Sequence, residues 1–306
     1  MKIGIVGAGA IGLTFAAALA RANDVVVLAR RAAVAELIAR DGIAIEDAPG
    51  EVRHVMVRAT TDPRELRDRD ALIVAVKAYA TDAALAPLRG VLAPHALVAS
   101  VQNGLGNVEA ARAALPETRV IAGSTTQAAI AIADGRVRPV NAGVTTFERG
   151  PRSDDLVDAF TAAGLDARGA DDVDAILWRK LVVNAAINPA CALASRSNGA
   201  VVSDPDLEAL ARSLAGEAAA VAHAEAIDVG DPWAAVEAAA RASAANRNSM
   251  LQDLEAGRRT EIEAISGEIA RRAATHGIAV PVTETVLRLV RGRERSTAEP
   301  RSKGTP

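Results

Sequence analysis

The chain has 306 residues, half of them hydrophobic, enough for two domains that each bury a core. A formal net charge of −3, with only three Phe, two Trp and one Tyr, argues against a nucleic-acid partner, which would want a basic patch or a stacking platform. The single cysteine, Cys191, excludes an intramolecular disulfide and, with four scattered histidines, supplies no zinc set, so no metal is expected and a reducing, cytoplasmic setting fits best.

The opening MKIGIVGAGAIGLTFAAALA has the outline of a secretory signal peptide, but three glycines at fixed spacing explain it better. No uncharged apolar run approaches the ~18 residues that a membrane span requires, so no membrane partner is expected. Up to about residue 165, β-branched runs alternate with alanine-rich helical stretches. KIGIV, VVVLA, ALIVAV, ALVASV and RVIAG read as parallel strands buried on both faces, with helices near 10–22, 31–41, 80–92 and 106–114 between them. Segments 43–47, 52–60 and 136–149 alternate more and are expected as extra strands at the sheet edge. After about residue 168 the reading is helical, over 172–198, 204–228, 231–246 and 248–275, with breaks at Asn198-Gly199, Gly230 and Gly277. The expected fold is an α/β doubly wound, Rossmann-type sheet over 1–167, then an all-α domain over 168–292, with 293–306 a polar, aperiodic tail read as disordered.

Gly7-Ala8-Gly9-Ala10-Ile11-Gly12 is a G-x-G-x-x-G that follows a strand and opens a helix. The first glycine permits a tight turn, the second lets backbone approach a pyrophosphate, and the third lets helix pack on strand; a purely structural glycine turn is the bland alternative. Where an NAD enzyme places Asp or Glu at the end of the second strand, this chain has Arg30 and Arg31, which suit the 2′-phosphate of NADP(H). Arg30, nearest the strand end, is the principal candidate and Arg31 its helper. Lys77 and Asn103-Gly104 follow two further strands, where ligands sit in open α/β sheets. The TTQAA run at 125–129, which contains Ala128, can pass beneath a cofactor or form a plain loop. In WRKLVVNAAINP, Lys180, Asn184 and Asn188 are spaced i, i+4, i+8 and share one face of an otherwise apolar helix. On spacing alone, Lys180 is equally a snorkelling lysine or a buried one that meets an anionic or polar ligand.

These residues together carry a resemblance. GAGAIG, KAYAT, QNGLGN, GSTTQAA, WRKLVVNAAINPACAL, SMLQDLEAGRRTEIEAISGEI and HGIAVPVTETV, spread over nearly the whole chain, resemble the ketopantoate reductases (2-dehydropantoate 2-reductases), NADPH-dependent enzymes of pantothenate and coenzyme A synthesis. The resemblance implies a Rossmann domain, a helical domain, and a cleft that closes on cofactor and keto acid. It implies that Lys180 is the general acid that protonates the ketone as hydride arrives. It also implies that Asn184, Asn188, Asn198 and Ser249 bind substrate and that Glu261 binds substrate and orients it beside the nicotinamide of the cofactor; Asn103, from its strand end, can serve the nicotinamide ribose or a substrate, and Lys77 a phosphate or ribose. Glu263, Arg258, Arg259, Glu268, Arg271 and Arg272 read as solvated surface, Cys191 as a small core residue, and His223 and His276 as packing or solvent residues.

Three functions follow. The first is reduction of ketopantoate to (R)-pantoate, and the second is reduction of another 2-keto acid by the same architecture. The third is a non-catalytic NADP(H) sensor, which would need none of Lys180, Asn184, Asn188, Asn198, Ser249 and Glu261. The oligomeric state stays open, a homodimer being one option.

Overall fold

The computed structural model describes residues 1–48 and 50–298. In chain order the first part runs β1 (Lys2–Val6), α1 (Ala10–Leu19), β2 (Asp24–Leu28), α2 (Ala32–Asp41), β3 (Ile43–Ala48), β4 (Glu51–Val55), β5 (Arg58–Thr60), β6 (Ala71–Val74), α3 (Thr81–Leu85), β7 (Leu97–Ser100), α4 (Asn107–Ala114), β8 (Arg119–Thr125), β9 (Ala128–Ala133), β10 (Arg136–Asn141), β11 (Thr145–Glu148), α5 (Ser153–Ala162) and β12 (Ala167–Ala170). Eight strands form one sheet in the order β12-β11-β8-β7-β6-β1-β2-β5. All its neighbours are parallel except β11, which runs antiparallel to β8. Strands β1, β6 and β7 read as continuous apolar runs because helices cover both faces, as a parallel sheet demands. The chain leaves β1 toward β2 on one side and returns to β6 on the other, so the carboxyl ends of β1 and β6 flank the switch point where such sheets hold ligands.

The segments expected at the sheet edge divide. Only β5 and β11 join the main sheet; β3, β4, β9 and β10 form a separate four-stranded sheet in the order β4-β3-β10-β9. It is built from two antiparallel hairpins joined by parallel pairing of β10 with β3, and it buries Ile43, Ile45 and Val137 beside α1. Its opposite face is pinned by Glu46, whose buried carboxylate accepts from both Arg136 and Arg138. The helix expected over 80–92 is cut to α3 between two 3-10 turns, because Pro87 cannot donate a backbone hydrogen bond.

The second part contains α6 (Val173–Ala194), α7 (Ala200–Ser203), α8 (Pro205–Ala224), α9 (Pro232–Ala242), α10 (Ser249–Glu255), a π-helical turn Glu263–Gly267, α11 (Glu268–Thr275) and α12 (Pro281–Ala298). The chain forms two units: Met1–Gln102 with Gly106–Val173, and Asn103–Leu105 with the residues from Asp174 on. Strand β12 thus carries the first unit past residue 167. Helix α12 runs through the segment 293–298 that the sequence assigns to a disordered tail, and 299–306 lie outside the described residues.

The core of the helical unit is made of small residues, Ala185, Ala186 and Ala190 of α6 and Ala211, Ala215 and Ala218 of α8 among them, so the helices approach closely around Leu181, Leu214 and Leu254. Each fully buried Leu or Ile contributes about 1.5–3 kcal/mol, which fixes the apolar side of α6 and with it the direction of its polar stripe. Helix α6 ends at Ala194, where Ser195 takes a left-handed conformation (φ 55°) and the Arg196 N–H closes onto the Cys191 carbonyl at 2.9 Å. The expected single helix over 248–275 is interrupted. Gly257 (φ 64°) ends α10, and the Thr260 hydroxyl caps the next start by accepting from the Ile262 N–H at 3.1 Å. Two side chains read as surface charges are interior ones: Glu268 is buried and accepts from Arg271 and Arg272, and Arg272 also reaches Glu225 at 2.8 Å. Glu263, also read as solvated, is held by a bidentate pair with Arg291, both bonds 2.6 Å.

Candidate active site

In the N-terminal unit, the turn after β1 needs its glycines for different reasons. Gly7 has φ 117°, and its N–H donates to the Leu28 carbonyl at 3.0 Å, tying the turn to β2. A Cβ on Gly12 would stand 2.1 Å from the Gly7 carbonyl oxygen, so no side chain fits where α1 packs on the turn. A Cβ on Gly9 would meet nothing within 4 Å among the described residues, so its glycine answers to no neighbour there. No side chain caps α1, and no acidic residue lies in its first turn, so its leading N–H groups keep their positive potential. Ala8, Ala10 and Ile11 are half-buried along the same turn.

Arg30 and Arg31 both follow β2 and are exposed, but they differ in partners. Arg31 pairs with Asp134 of the β9–β10 turn, whereas Arg30 has no ion pair or hydrogen bond among the described residues. Lys77, half-buried, follows β6 and starts the 3-10 turn Ala78–Ala80. The glycine turn, Arg30 and Lys77 therefore line one edge of the sheet, at the ends of β1, β2 and β6. Ala128 lies elsewhere: it opens β9 in the smaller sheet, beyond a bend that Gln127 fixes by donating to the Gly143 carbonyl at 2.6 Å. Gln102 escaped the sequence reading. Its amide donates to the Val76 carbonyl at 3.0 Å and to the Thr81 hydroxyl at 2.7 Å, locking the ends of β6 and β7 together; its place one residue past a strand was the available signal.

In the helical unit, three candidates are joined directly. Lys180 Nζ donates to Asn103 Oδ1 at 2.9 Å, and Asn103 Nδ2 donates to Glu261 Oε2 at 3.2 Å. Asn103 is delivered by a segment that docks through the Leu105 N–H onto the Ala264 carbonyl at 3.0 Å. That approach requires Gly104: its φ is 86°, and a Cβ would fall 2.2 Å from the same carbonyl oxygen. Glu261 is buried and enters at the start of the π turn, a local geometry frequent at functional sites. Burial pulls the Lys180 ammonium down to about 8, against the Glu261 carboxylate, which acts to hold it charged.

Asn184 is half-buried and Asn188 buried on the same stripe of α6, and among the described residues neither amide has a side-chain hydrogen-bond partner. Ser249 is exposed at the first position of α10. Asn198 is buried with its amide engaged inside the protein, donating to Ser243 Oγ at 3.0 Å and accepting from Asn248 Nδ2 at 3.1 Å. Cys191 is a buried core thiol, pushed up to about 11 by that burial, while His223 and His276 are exposed.

A doubly wound sheet with a glycine turn at its switch point, and a helical unit with a lysine held against an amide and a carboxylate, define the class of Rossmann-type, nicotinamide-dependent oxidoreductases. The sequence comparisons narrow it. The family described as ketopantoate reductase PanE/ApbA matches residues 3–152, and its C-terminal domain matches residues 172–294. The chain belongs to this family. It is 34% identical to the 2-dehydropantoate 2-reductase of Halobacterium salinarum over 303 residues, 96% of this chain and 99% of that one. The crystal structure of a PanE/ApbA family ketopantoate reductase from Ralstonia eutropha superposes with a TM-score of 0.91 at 32% identity, covering 98% of this chain and 100% of that one. A ternary structure of D-mandelate dehydrogenase with NADH and anilino(oxo)acetate has a TM-score of 0.90 at 24% identity, covering 98% and 100%, a likeness of fold.

Proposed function

We propose that this chain reduces 2-dehydropantoate to (R)-pantoate with NADPH, a step of pantothenate and coenzyme A biosynthesis. The observation that carries the reading is the bonded set Lys180–Asn103–Glu261, in which a lysine is held by an amide and faces a buried carboxylate. The N-terminal unit fits the cofactor: Gly9 leaves room for a close approach to the uncapped start of α1, and Arg30, without an ion pair among the described residues, offers a guanidinium to a 2′-phosphate. NADPH, when bound, supplies the hydride for the ketone carbon.

Lys180 supplies the proton. Its Nζ polarises the ketone oxygen and transfers a proton to it as the carbon–hydrogen bond forms; the oxygen becomes the hydroxyl of pantoate, and the neutral amine is reprotonated from solvent. An ammonium lowered to about 8 gives up that proton more readily than an exposed lysine yet stays charged at neutral pH. Asn103 fixes the direction of Nζ, Glu261 accepts from the primary hydroxyl of the substrate, and Asn184, Asn188 and Ser249 offer donors to its carboxylate. Lys77 and Ala128 belong to the cofactor in this reading. A cytoplasmic setting accords with the free thiol of Cys191; no helix of the described residues is long and apolar enough to cross a membrane. A homodimer is compatible with this reading.

A panel of 2-keto acids assayed with NADPH, read as loss of the reduced cofactor's absorbance, tests the proposal. Ketopantoate should give the highest kcat/KM. Another acid in that place would leave a reductase of different specificity, and no turnover of any keto acid would favour the non-catalytic sensor.

A further inference from the structure

Helix α12 holds the segment that carries Glu261 from both sides. Ahead of Glu261, the buried Thr260 donates twice to one carboxylate oxygen, its N–H reaching Glu294 Oε1 at 2.7 Å and its hydroxyl the same atom at 2.6 Å. Beyond Glu261, Glu263 accepts the bidentate pair from Arg291, both bonds 2.6 Å. Arg291 and Glu294 are three positions apart and so share one face of α12. With its proton committed to Glu294, the Thr260 hydroxyl turns a lone pair to the Ile262 N–H at 3.1 Å, so the hold from α12 passes across Glu261 to the next residue. The helix is already seated in the core by Val286, Leu287 and Val290 and does not need these charges to dock, yet they converge on the stretch 260–263.

We propose that Glu294 is a positioning residue: through Thr260 it fixes the backbone from which Glu261 projects, with Arg291 as the brace on the far side, and so sets the Glu261 carboxylate against Asn103 and Lys180. This rests on the role given to Glu261 above. The bond from Asn103 Nδ2 to Glu261 Oε2 is 3.2 Å, at the long end for such a bond, so a retreat of a few tenths of an ångström breaks it. A carboxylate that accepts a substrate hydroxyl and also faces an ammonium tolerates little play, and two bonds to a charged acceptor hold its backbone more firmly than a neutral cap would. The bland reading is an ordinary helix cap supplied by another helix. Such a cap would stabilise the turn and leave both substrate and Lys180 indifferent to its loss. Glu294 lies in the stretch 293–298, where the polar composition alone shows no partner.

The experiment compares Glu294→Ala, Glu294→Gln, and Glu294→Ala in a Glu261→Gln background, all in the full-length protein. It measures KM and kcat for the best keto acid, the NADPH Kd, Tm, and the titration of Lys180 followed by carbon NMR of its Cε, one of four lysine signals in the chain. Glutamine keeps an oxygen for both Thr260 donors without the charge, so Glu294→Gln should hold KM within about threefold. Glu294→Ala should raise the keto-acid KM about tenfold, the scale of one lost hydrogen bond, and leave the NADPH Kd within about twofold. The Lys180 titration, about 8 in the unaltered protein, should fall by about half a pH unit or more in Glu294→Ala, because the carboxylate that holds the ammonium charged is no longer fixed beside it. In the Glu261→Gln background, Glu294→Ala should change KM less than about twofold and leave the titration in place. The titration needs no turnover, so it reports on Glu294 whichever acid the enzyme reduces, or if it reduces none, and failure of the functional reading is told apart from failure of the brace. Thr260→Val removes one of the two donors and keeps the side-chain shape, so it carries the same test if Glu294→Ala does not fold, moving KM and the titration in the same directions. A lower Tm with KM and titration unchanged would leave Glu294 an ordinary cap and overturn the proposal. So would equal titration shifts in Glu294→Ala and Glu294→Gln, which would mean that its charge acts on Lys180 across space, or an undiminished effect in the Glu261→Gln background.

Discussion

Lys180 and Asn103 are 77 positions apart in the chain, yet the lysine ammonium donates to the asparagine amide oxygen at 2.9 Å. The relation is specific to this lysine: the next residue back on α6, Arg179, turns to the surface and bonds the Asp228 carbonyl at 3.0 Å. A long flexible side chain thereby has a fixed direction, and the amide that fixes it is bonded to the carboxylate of Glu261. Holding a proton donor in one direction is the part of general-acid catalysis that a fold can supply in advance.

The pH dependence follows from burial. Because burial draws the Lys180 ammonium down to about 8, the acid form predominates below that pH and falls tenfold for each unit above it. The profile of kcat/KM should be level through neutral pH and decline with unit slope above about 8 in the free enzyme. A profile level to about pH 10 would remove Lys180 from the proton transfer.

Replacing the lysine separates chemistry from binding. Lys180→Ala should retain the fold and NADPH affinity while kcat drops by about 10²–10⁴, the range for loss of a positioned general acid. Circular dichroism, cofactor titration and steady-state kinetics on one preparation check all three; a variant with more than about a tenth of the original kcat assigns the role elsewhere.

The two arginines after β2 should not contribute equally to cofactor choice. Arg30→Ala should cost about 1.5–3 kcal/mol of NADPH binding and leave NADH nearly unaffected, because a charged hydrogen bond to a 2′-phosphate is lost. Arg31 is already paired with Asp134, so Arg31→Ala should cost less than half as much. Equal losses for NADPH and NADH in Arg30→Ala would place the phosphate elsewhere.

Two glycines of one motif should fail in different ways. Gly12→Ala brings a methyl group within 2.1 Å of the Gly7 carbonyl and should destabilise the unit by about 1–3 kcal/mol, read as a lower Tm. Gly9→Ala meets nothing within 4 Å among the described residues, so its Tm should stay within about 2 °C while the NADPH Kd rises about tenfold or more. A normal Kd for Gly9→Ala would mean that no pyrophosphate passes there.

What could be read from the sequence was local. Gly7, Gly9 and Gly12 have meaning at their spacing alone, and Lys180, Asn184 and Asn188 share a face by helix geometry alone. Pairings between distant segments were not legible. Strands β3 and β10 alternate as edge strands do, and nothing near either shows that they pair with each other in a second sheet. Leu254, Ile262, Ile265 and Ile269 fall on one apolar seam at helical spacing and mask the stop signals at Gly257 and Thr260, so the sequence reads one helix from Ser249 through Glu261 where the structure has two elements. Asn103 follows a strand and reads as part of the sheet edge, whereas its bonds to Lys180 and Glu261 and the bond from Leu105 to Ala264 place its segment in the helical unit. Glu268 and Arg272 look like surface charges in a polar stretch; their burial depends on Glu225, which comes from another helix.

The central claim is that the site recognises ketopantoate by its primary hydroxyl as well as by its keto acid, and one comparison tests it most directly. A buried carboxylate such as Glu261 loses a hydrogen-bond donor when the hydroxyl is removed, and a site built for a hydroxyl rejects analogues that lack it. With NADPH saturating, ketopantoate should exceed its deoxy analogue, 2-keto-3,3-dimethylbutyrate, by a kcat/KM ratio of about 10² or more. Equal ratios, or turnover of some other keto acid with ketopantoate inert, would contradict the assignment.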